Sequence, residues 1–395
     1  MNKFFLNLGL QPLANNYLSN FKVKQKKYNL NLVFNTQTKL VSISKRIPSK
    51  EMFNDKYPYR SSISQTMTNS FQKLSIEIKK RFSPKLLLEI GSNDGALIRN
   101  FSKSKVIGVE PCSNLANITK KKGYKTYNNY WDYNLAKKIK KEFNTIDLIY
   151  SANTLTHISN LNEVFSSIST LLSNDGVLII EDPSLLECIK KNAYDQFYNE
   201  HIYVFSALSL KNILKKYNLV IFDLDNIKTH GGSTRYYIKK NTNKKLDIKK
   251  SVKKQIIKEI KFGLNKFTTF KKFAINVKRS KHILCKLLKE IKQKNKTIIG
   301  YGATAKSTTI LNFCNIDNKT IKYFVDTTPN KKNKFLPGTN IKILKYNKKY
   351  LNKIDYVYLG AWNFKDEIFK KEKSFIKKGG KFITHVPQPR IIKIK

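Results

Sequence analysis

The sequence predicts an α/β chain in four parts: a small amino-terminal module over residues 1–75, a strand–helix unit over 76–240, a helical bridge over 241–296 and a second strand–helix unit over 297–395. Three observations carry this reading. At 86–97, LLLEIGSNDGAL, an apolar run enters a glycine turn and leaves it with apolar positions at helical spacing. At 297–302, TIIGYG restarts the same alternation. Between them, Ile256, Ile260, Leu264, Phe267, Phe270, Ala274 and Val277 fall at steps of three and four in a lysine-rich stretch, the pattern of amphipathic helices, with one break expected near Arg279.

Taken in order, the first module has turn signals at Gly9, Pro12, Asn15 and Asn16, and a polar alternation over 29–43 that suits a hairpin. The segment YPYRSS (57–62) then gathers two phenols and two hydroxyls just ahead of a helix. From Lys85 strands and helices alternate. The turn from Gly91 to Gly95 follows the first strand, where glycine's positive φ lets a ligand lie against the main chain. The carboxyl ends of parallel strands are where α/β sheets bind nucleotides. KVIGVEP (105–111) is the second strand and ends in Glu110; the third strand leads to a loop at Asn153; Asp175-Gly176 turns into a fourth, VLIIEDP (177–183). After the bridge come a helix beginning near Ala303, a strand ending in Asp326, and two more strands in YVYLGAW (356–362) and KFITHV (381–386).

Length and composition bound the rest. A chain of 395 residues is too long for one ordinary core, and 41% hydrophobic with 12% aromatic residues is enough to build several. The formal charge of +49, from 76 basic and 27 acidic side chains, raises nucleic acid as a partner. The lysines are dispersed over every segment, however, as AT-rich coding produces, and this argues against it. The summed field still favours anionic substrates. Cys112, Cys188, Cys285 and Cys314 form no Cys-x-x-Cys pair, so neither a disulfide framework nor a cysteine-rich zinc site is expected, and a reducing cytoplasm fits. Neither a secretory leader nor an apolar run of about 18 residues is read, so no membrane partner is expected.

Two constellations could carry chemistry. The turn Gly91-Ser92-Asn93-Asp94-Gly95 lacks the third glycine that close diphosphate approach favours, while Glu110, about 20 residues on, can accept the hydroxyls of a ribose. S-adenosylmethionine has no phosphate to cradle, so it is preferred to a dinucleotide. The second is FYNEHIY (197–203), where Tyr198, Glu200 and His201 supply the groups that take a proton from carbon and stabilise the enolate. Histidine is suited to the base because its ordinary pKa lies near 6.5. His157 follows the third strand on the same edge, as pocket residue or loop cap. In THGGSTR (229–235), Arg235 is suited to an oxyanion, although Gly-Gly alone would also make a hairpin turn. GYGATAKS lacks the spacing of a P-loop, but Lys306 with free helix amides could hold a diphosphate.

With these residues assembled, the chain resembles the S-adenosylmethionine-dependent C-methyltransferases that act on nucleotide-linked deoxysugars, the dTDP-sugar C-3 methyltransferases. LGLQPLANNYL, YPYRSS, EIGSNDGAL, GVEP, NTLTHI, FYNEHIYVF, HGGSTR, IIGYGATAKSTTILNF and VDTTPNKKNKFLPGT carry the resemblance, in family order. It implies a central class I methyltransferase domain of Rossmann-like fold, binding S-adenosylmethionine through Gly91, Asn93, Gly95, Glu110, Pro111 and Asn153. It implies a carboxyl-terminal Rossmann-like domain that binds no methyl donor and faces the sugar nucleotide with Tyr301 and Lys306. Glu200 and His201 are the candidate bases with Tyr198 beside them; His157 and Tyr59 or Tyr57 would line the pocket. The implied reaction removes the proton next to the ketone of a nucleoside-diphosphate ketosugar and methylates the enolate. A monomer is expected.

Two departures stand out. The family's amino-terminal module binds zinc through two cysteine pairs. This chain begins about where the first pair would end, and has Asn35 and Thr38 near the second, so a metal-free module held by packing is expected. The first histidine of the family's Tyr-His-Glu-His is here Asn199. The alternatives are a basic RNA-binding protein or RNA methyltransferase, and a paralogue that binds ligand without turnover.

Overall fold

Strand structure begins at the first residues. The protein, in a computed structural model that describes residues 1–393, opens with β1 (Asn2–Pro12), β2 (Lys27–Asn35) and β3 (Val41–Ile43). β2 and β3 are the expected antiparallel hairpin, and β1 pairs antiparallel with β2. β1 was hidden because Gly9 reads as a turn. It sits instead in a register shift between Asn7 and Leu10, a bulge within the strand.

The helix Gln65–Phe82 starts at Ser64, whose side chain accepts from the Met67 amide at 3.3 Å. Its buried Met67, Phe71, Leu74 and Ile78 pack with Leu87, Val106 and Leu148. Residue 75, where the sequence reading ends the first part, lies inside this helix. Then follow β4 (Leu87–Ile90), β5 (Val106–Val109), β6 (Lys125–Tyr127), β7 (Ile146–Ala152), β8 (Leu172–Pro183), β9 (Tyr203–Val204), β10 (Leu219–Ile227) and β11 (Ser233–Lys240). The central sheet runs β10-β11-β8-β7-β4-β5-β6, with β4 to β8 parallel and β11 antiparallel to both neighbours. β9 leaves this unit and completes the first sheet, in the order β1-β2-β3-β9. The end of the FYNEHIYVF stretch is thereby fastened to the amino-terminal module.

The bridge is two helices, Lys250–Phe262 and Phe267–Gln293. The break falls at Gly263, left-handed at φ 95°, and the second helix passes through Arg279 without interruption. The apolar pattern lapses near Arg279 because the buried face there carries Ser280, whose hydroxyl donates to Tyr194 Oη at 3.3 Å. The last sheet contains β12 (Ile298–Tyr301), β13 (Phe324–Asp326), β14 (Ile343–Lys345), β15 (Tyr356–Leu359), β16 (Lys381–Thr384) and β17 (Arg390–Ile392). Its order is β14-β13-β12-β15-β16-β17, parallel except for β17, the second Rossmann-like unit.

One apolar core joins all the parts: Phe34, Leu178, Phe270 and Ile310 belong to the same buried cluster. Among the described residues no helix is long and apolar enough to cross a membrane.

Candidate active site

The sheet order brings the glycine turn after β4 and the end of β5 side by side. Gly91 has φ 77°, and a Cβ there would lie 2.1 Å from Thr154 Oγ1, so the turn accepts only glycine. The Gly91 and Ser92 amides donate to the Val109 carbonyl at 2.8 and 3.0 Å. The Glu110 carboxylate accepts from the Asn93 amide at 2.8 Å and the Cys112 amide at 2.9 Å. Burial raises its pKa while these two amides oppose the shift. The YPYRSS segment lies across the same turn: the Ser61 amide donates to Asn93 Oδ1 at 2.9 Å, and Asn93 Nδ2 to the Tyr59 carbonyl at 3.3 Å.

A cavity of about 710 Å³ opens here, within the range of small-molecule sites. Gly91, Asn93, Glu110, Pro111 and Asn153 line it from the central unit, with Tyr57, Tyr59, His157, Tyr198 and His201; Tyr301 and Lys306 line it from the carboxyl-terminal unit. Three expected site residues do not reach it. Gly95, at φ 81°, faces Thr119. Arg235 on β11 stands directly opposite Glu181 on β8, and its Nη2 pairs with that carboxylate at 2.9 Å; Nη1 lies 3.3 Å from Glu77. Its charge is absorbed within the sheet, so it is not an oxyanion ligand of this cavity. Glu200 sits behind the wall, accepting from Asn15 Nδ2 at 2.8 and 3.0 Å and from the Tyr57 hydroxyl at 3.1 Å. Burial pushes its carboxyl up to about 7.

His201 is defined by its two partners. Nδ1 lies 2.8 Å from the Gln196 carbonyl, which can only accept, so Nδ1 carries the hydrogen. Nε2 therefore holds the lone pair and accepts the Tyr198 hydroxyl at 2.6 Å. Burial, with His157 and Lys306 nearby, holds His201 well below the usual histidine range. The His157 ring is stacked between Phe53, 5.2 Å away, and His201, 5.1 Å away, and burial pushes its pKa down to about 3. Asn199 is buried and turned aside, donating to the Pro12 carbonyl at 3.3 Å. The departure at this position thus falls on a side chain that ties the stretch to β1.

The same stretch is anchored to the carboxyl-terminal unit by Asp195, which is fully buried. Its Oδ2 accepts from Trp362 Nε1 at 2.5 Å and lies 3.1 Å from His385 Nε2. Lys306, in the first turn of the helix Ala305–Phe313, stands over the Trp362 ring at 5.5 Å, and burial lowers its pKa. The Tyr301 hydroxyl donates to Glu372 at 3.0 Å.

Sequence reasoning passed over one lining acid on the central sheet. Glu89, inside the apolar strand β4, lines the cavity with an Oε2 that has no partner, and burial raises its pKa well above the usual range. An acid in an otherwise apolar buried strand was the available signal. Asp326, at the end of β13, repeats the device of Glu110: it accepts from the Ala303 and Thr328 amides, both at 2.8 Å.

Residues 59–224 match the family of methyltransferase domains, and residues 228–387 match the family of C-methyltransferase C-terminal domains. Over 309 residues the chain is 30% identical to C-methyltransferase NovU of Streptomyces niveus, spanning 78% of this chain and 73% of that one. The chain belongs to this C-methyltransferase family. It is an S-adenosylmethionine-dependent methyltransferase, and its central sheet is the Rossmann-like sheet of that class. Solved structures it resembles include an S-adenosylmethionine-dependent methyltransferase from Clostridium acetobutylicum, at 13% identity, 44% of this chain, 91% of that chain and a TM-score of 0.32. Another is magnesium protoporphyrin IX methyltransferase from Synechocystis, at 13% identity, 44% of this chain, 78% of that chain and a TM-score of 0.32. The cavity takes lining residues from both matched segments. Its orphaned Glu89 oxygen beside the glycine turn fits the cationic methionine end of S-adenosylmethionine, and Glu110 fits the ribose.

Proposed function

We propose that this C-methyltransferase acts on a nucleoside-diphosphate-linked ketodeoxysugar, removing a proton next to the ketone so that the enolate is methylated. The observation that carries the reading is a single cavity lined at once by the methyl-donor turn, by the Tyr198–His201 pair and by Lys306 and Tyr301 of a second nucleotide-type unit. When bound, S-adenosylmethionine supplies an electrophilic methyl group. Glu110 holds the ribose hydroxyls, and Glu89 faces the methionine ammonium.

His201 Nε2 is the proton acceptor, by way of the Tyr198 hydroxyl that its lone pair accepts, although burial makes it a weaker base than the ordinary histidine the sequence suggests. The Gln196 carbonyl fixes the hydrogen on Nδ1, so the lone pair sits on the nitrogen beside Tyr198, and the same carbonyl stabilises the imidazolium once formed. Glu200, behind Tyr57, positions that phenol and is not the base. His157 stays uncharged at working pH and steers the enolate as a neutral group, with Tyr59 lining the pocket. Lys306 and the free amides at its helix start hold the diphosphate, and Tyr301 lies against the sugar nucleotide.

Glu110→Ala is expected to lose S-adenosylmethionine binding by calorimetry, whereas His201→Ala keeps binding and loses turnover. Normal methylation by His201→Ala overturns the assignment of the base. Calorimetric titration with a panel of sugar nucleotides and free nucleoside diphosphates identifies the substrate; binding of none of them overturns the substrate class.

A further inference from the structure

The turn between β10 and β11 has no part in the reading above, yet it sets a histidine with left-handed backbone in the cavity wall. His230 has φ 53° and ψ 20°, left-handed for a residue that carries a Cβ. Elsewhere among the described residues the chain fills left-handed positions with glycine or asparagine; the exceptions are Lys39, Ser83 and His230. Of these three only His230 lines the cavity.

The surroundings enforce this conformation. Gln196 Nε2 donates to the His230 carbonyl at 2.6 Å, Lys191 Nζ to the Gly231 carbonyl at 2.5 Å, and the Ser184 amide to the Gly232 carbonyl at 3.1 Å. Gly231 lies so close to Trp362 that a Cβ would come within 2.3 Å of the ring. A turn that needed only this backbone would be met by glycine without strain, so the imidazole itself needs a reason. His230 Nε2 is buried with no partner in the protein. Gln196 joins it to the base: the Gln196 side chain holds the His230 carbonyl, and the Gln196 carbonyl holds His201 Nδ1. Burial and the nearby Lys306 push the His230 pKa down to about 3, so the ring is neutral at working pH.

We propose that His230 is a further catalytic residue, a neutral imidazole whose N–H hydrogen-bonds the ketone oxygen of the substrate as it becomes an enolate, while His201 takes the proton. The proposal rests on the enolate reading above. A second base is not needed there, whereas a preorganised donor aimed at developing negative charge is the larger electrostatic contribution. No proton leaves His230; it only donates a hydrogen bond.

The test uses the full chain with labelled S-adenosylmethionine and a nucleotide ketosugar, alongside exchange of the proton next to the ketone in D2O. His230→Gly removes the ring and relieves the backbone; His230→Asn keeps the conformation and a side-chain N–H. Both are expected to bind S-adenosylmethionine as wild type does. His230→Gly should lose roughly 100-fold in kcat with little change in KM, and His230→Asn should recover about tenfold of that. The pH profile of kcat should keep its shape. His230→Gly turning over within twofold of wild type overturns the proposal. Should that variant fail to fold, His230→Asn against His230→Asp makes the same comparison, since aspartate cannot donate; equal turnover overturns it. A wild type that neither exchanges the proton nor methylates any ketosugar overturns the enolate reading as well.

Discussion

Glu200 and Arg235 are both buried charged groups next to the cavity, and burial acts on them in opposite ways. Glu200 has only neutral partners, Asn15 and Tyr57, so desolvation dominates and its pKa rises to about 7. A folded-state pKa above the ordinary 4.5 means that the folded protein holds this proton longer than the unfolded chain. The contribution to stability is complete below pH 4.5 and is lost as pH rises through 7, about 3 kcal/mol in all. Glu200→Gln should abolish that slope: in urea denaturation at pH 5 and pH 8, wild type should weaken relative to the variant, and parallel behaviour would refute the burial argument. Arg235 instead has a charged partner, Glu181, on the neighbouring strand. Removing one member leaves the other uncompensated, so Arg235→Ala should cost about 3–5 kcal/mol in stability. S-adenosylmethionine affinity and substrate KM should stay unchanged. A raised KM with normal stability would return Arg235 to the site.

At the scale of elements, the amino-terminal module keeps its fold without cysteine ligands. Asn35 Oδ1 accepts from the Gln37 and Thr38 amides at 3.0 and 2.8 Å, closing the β2–β3 turn. Phe270 of the long bridge helix then packs on the sheet, its ring centroid 5.3 Å from Phe5 and 4.6 Å from Phe34. Phe270→Ala should therefore cost about 3–5 kcal/mol, and EDTA should leave the Tm of wild type unchanged; a fall in Tm with chelator would contradict the packing account. These elements also mark what the sequence could convey. The two Rossmann-like units were legible because each announces itself locally, by an apolar strand, a glycine turn and an acid at the next strand end. β1, the uninterrupted bridge helix and the placement of β9 were not. Each depends on a distant partner: a bulge at Gly9 that only pairing with β2 explains, a buried Ser280 that only Tyr194 satisfies, and a two-residue strand that exists only beside β3. The site followed the same rule. Glu110, His201 and Lys306 line the cavity, whereas Gly95 and Glu200 of the same motifs do not, and Arg235 was misread because Glu181 lies 54 positions away in the chain.

For the whole molecule, the formal charge of +49 poses the remaining choice between an anionic small substrate and nucleic acid. The fold gives that charge a use that needs no nucleic acid. Lys306 lines the cavity from the carboxyl-terminal unit and is buried, so it acts where screening is weak, whereas Lys331 beside it is paired with Asp326 at 3.4 Å; the surface lysines add a long-range field. Glu89 and Glu110 sit on the methyl-donor side, where a cation is to be bound. Salt should separate the two sides. The screening length falls from about 10 Å at 0.1 M to about 3 Å at 1 M, so the KM for an anionic sugar nucleotide should rise several-fold over that range, while the affinity for S-adenosylmethionine moves little. An RNA-binding protein would behave differently, losing affinity for RNA in proportion to the phosphates it contacts and holding structured RNA tightly at physiological salt. Filter binding at that salt should give only weak, sequence-indifferent retention here. Saturable, structure-specific RNA binding, with a salt-independent KM for the sugar nucleotide, would reverse the assignment and make the basic surface the recognition element.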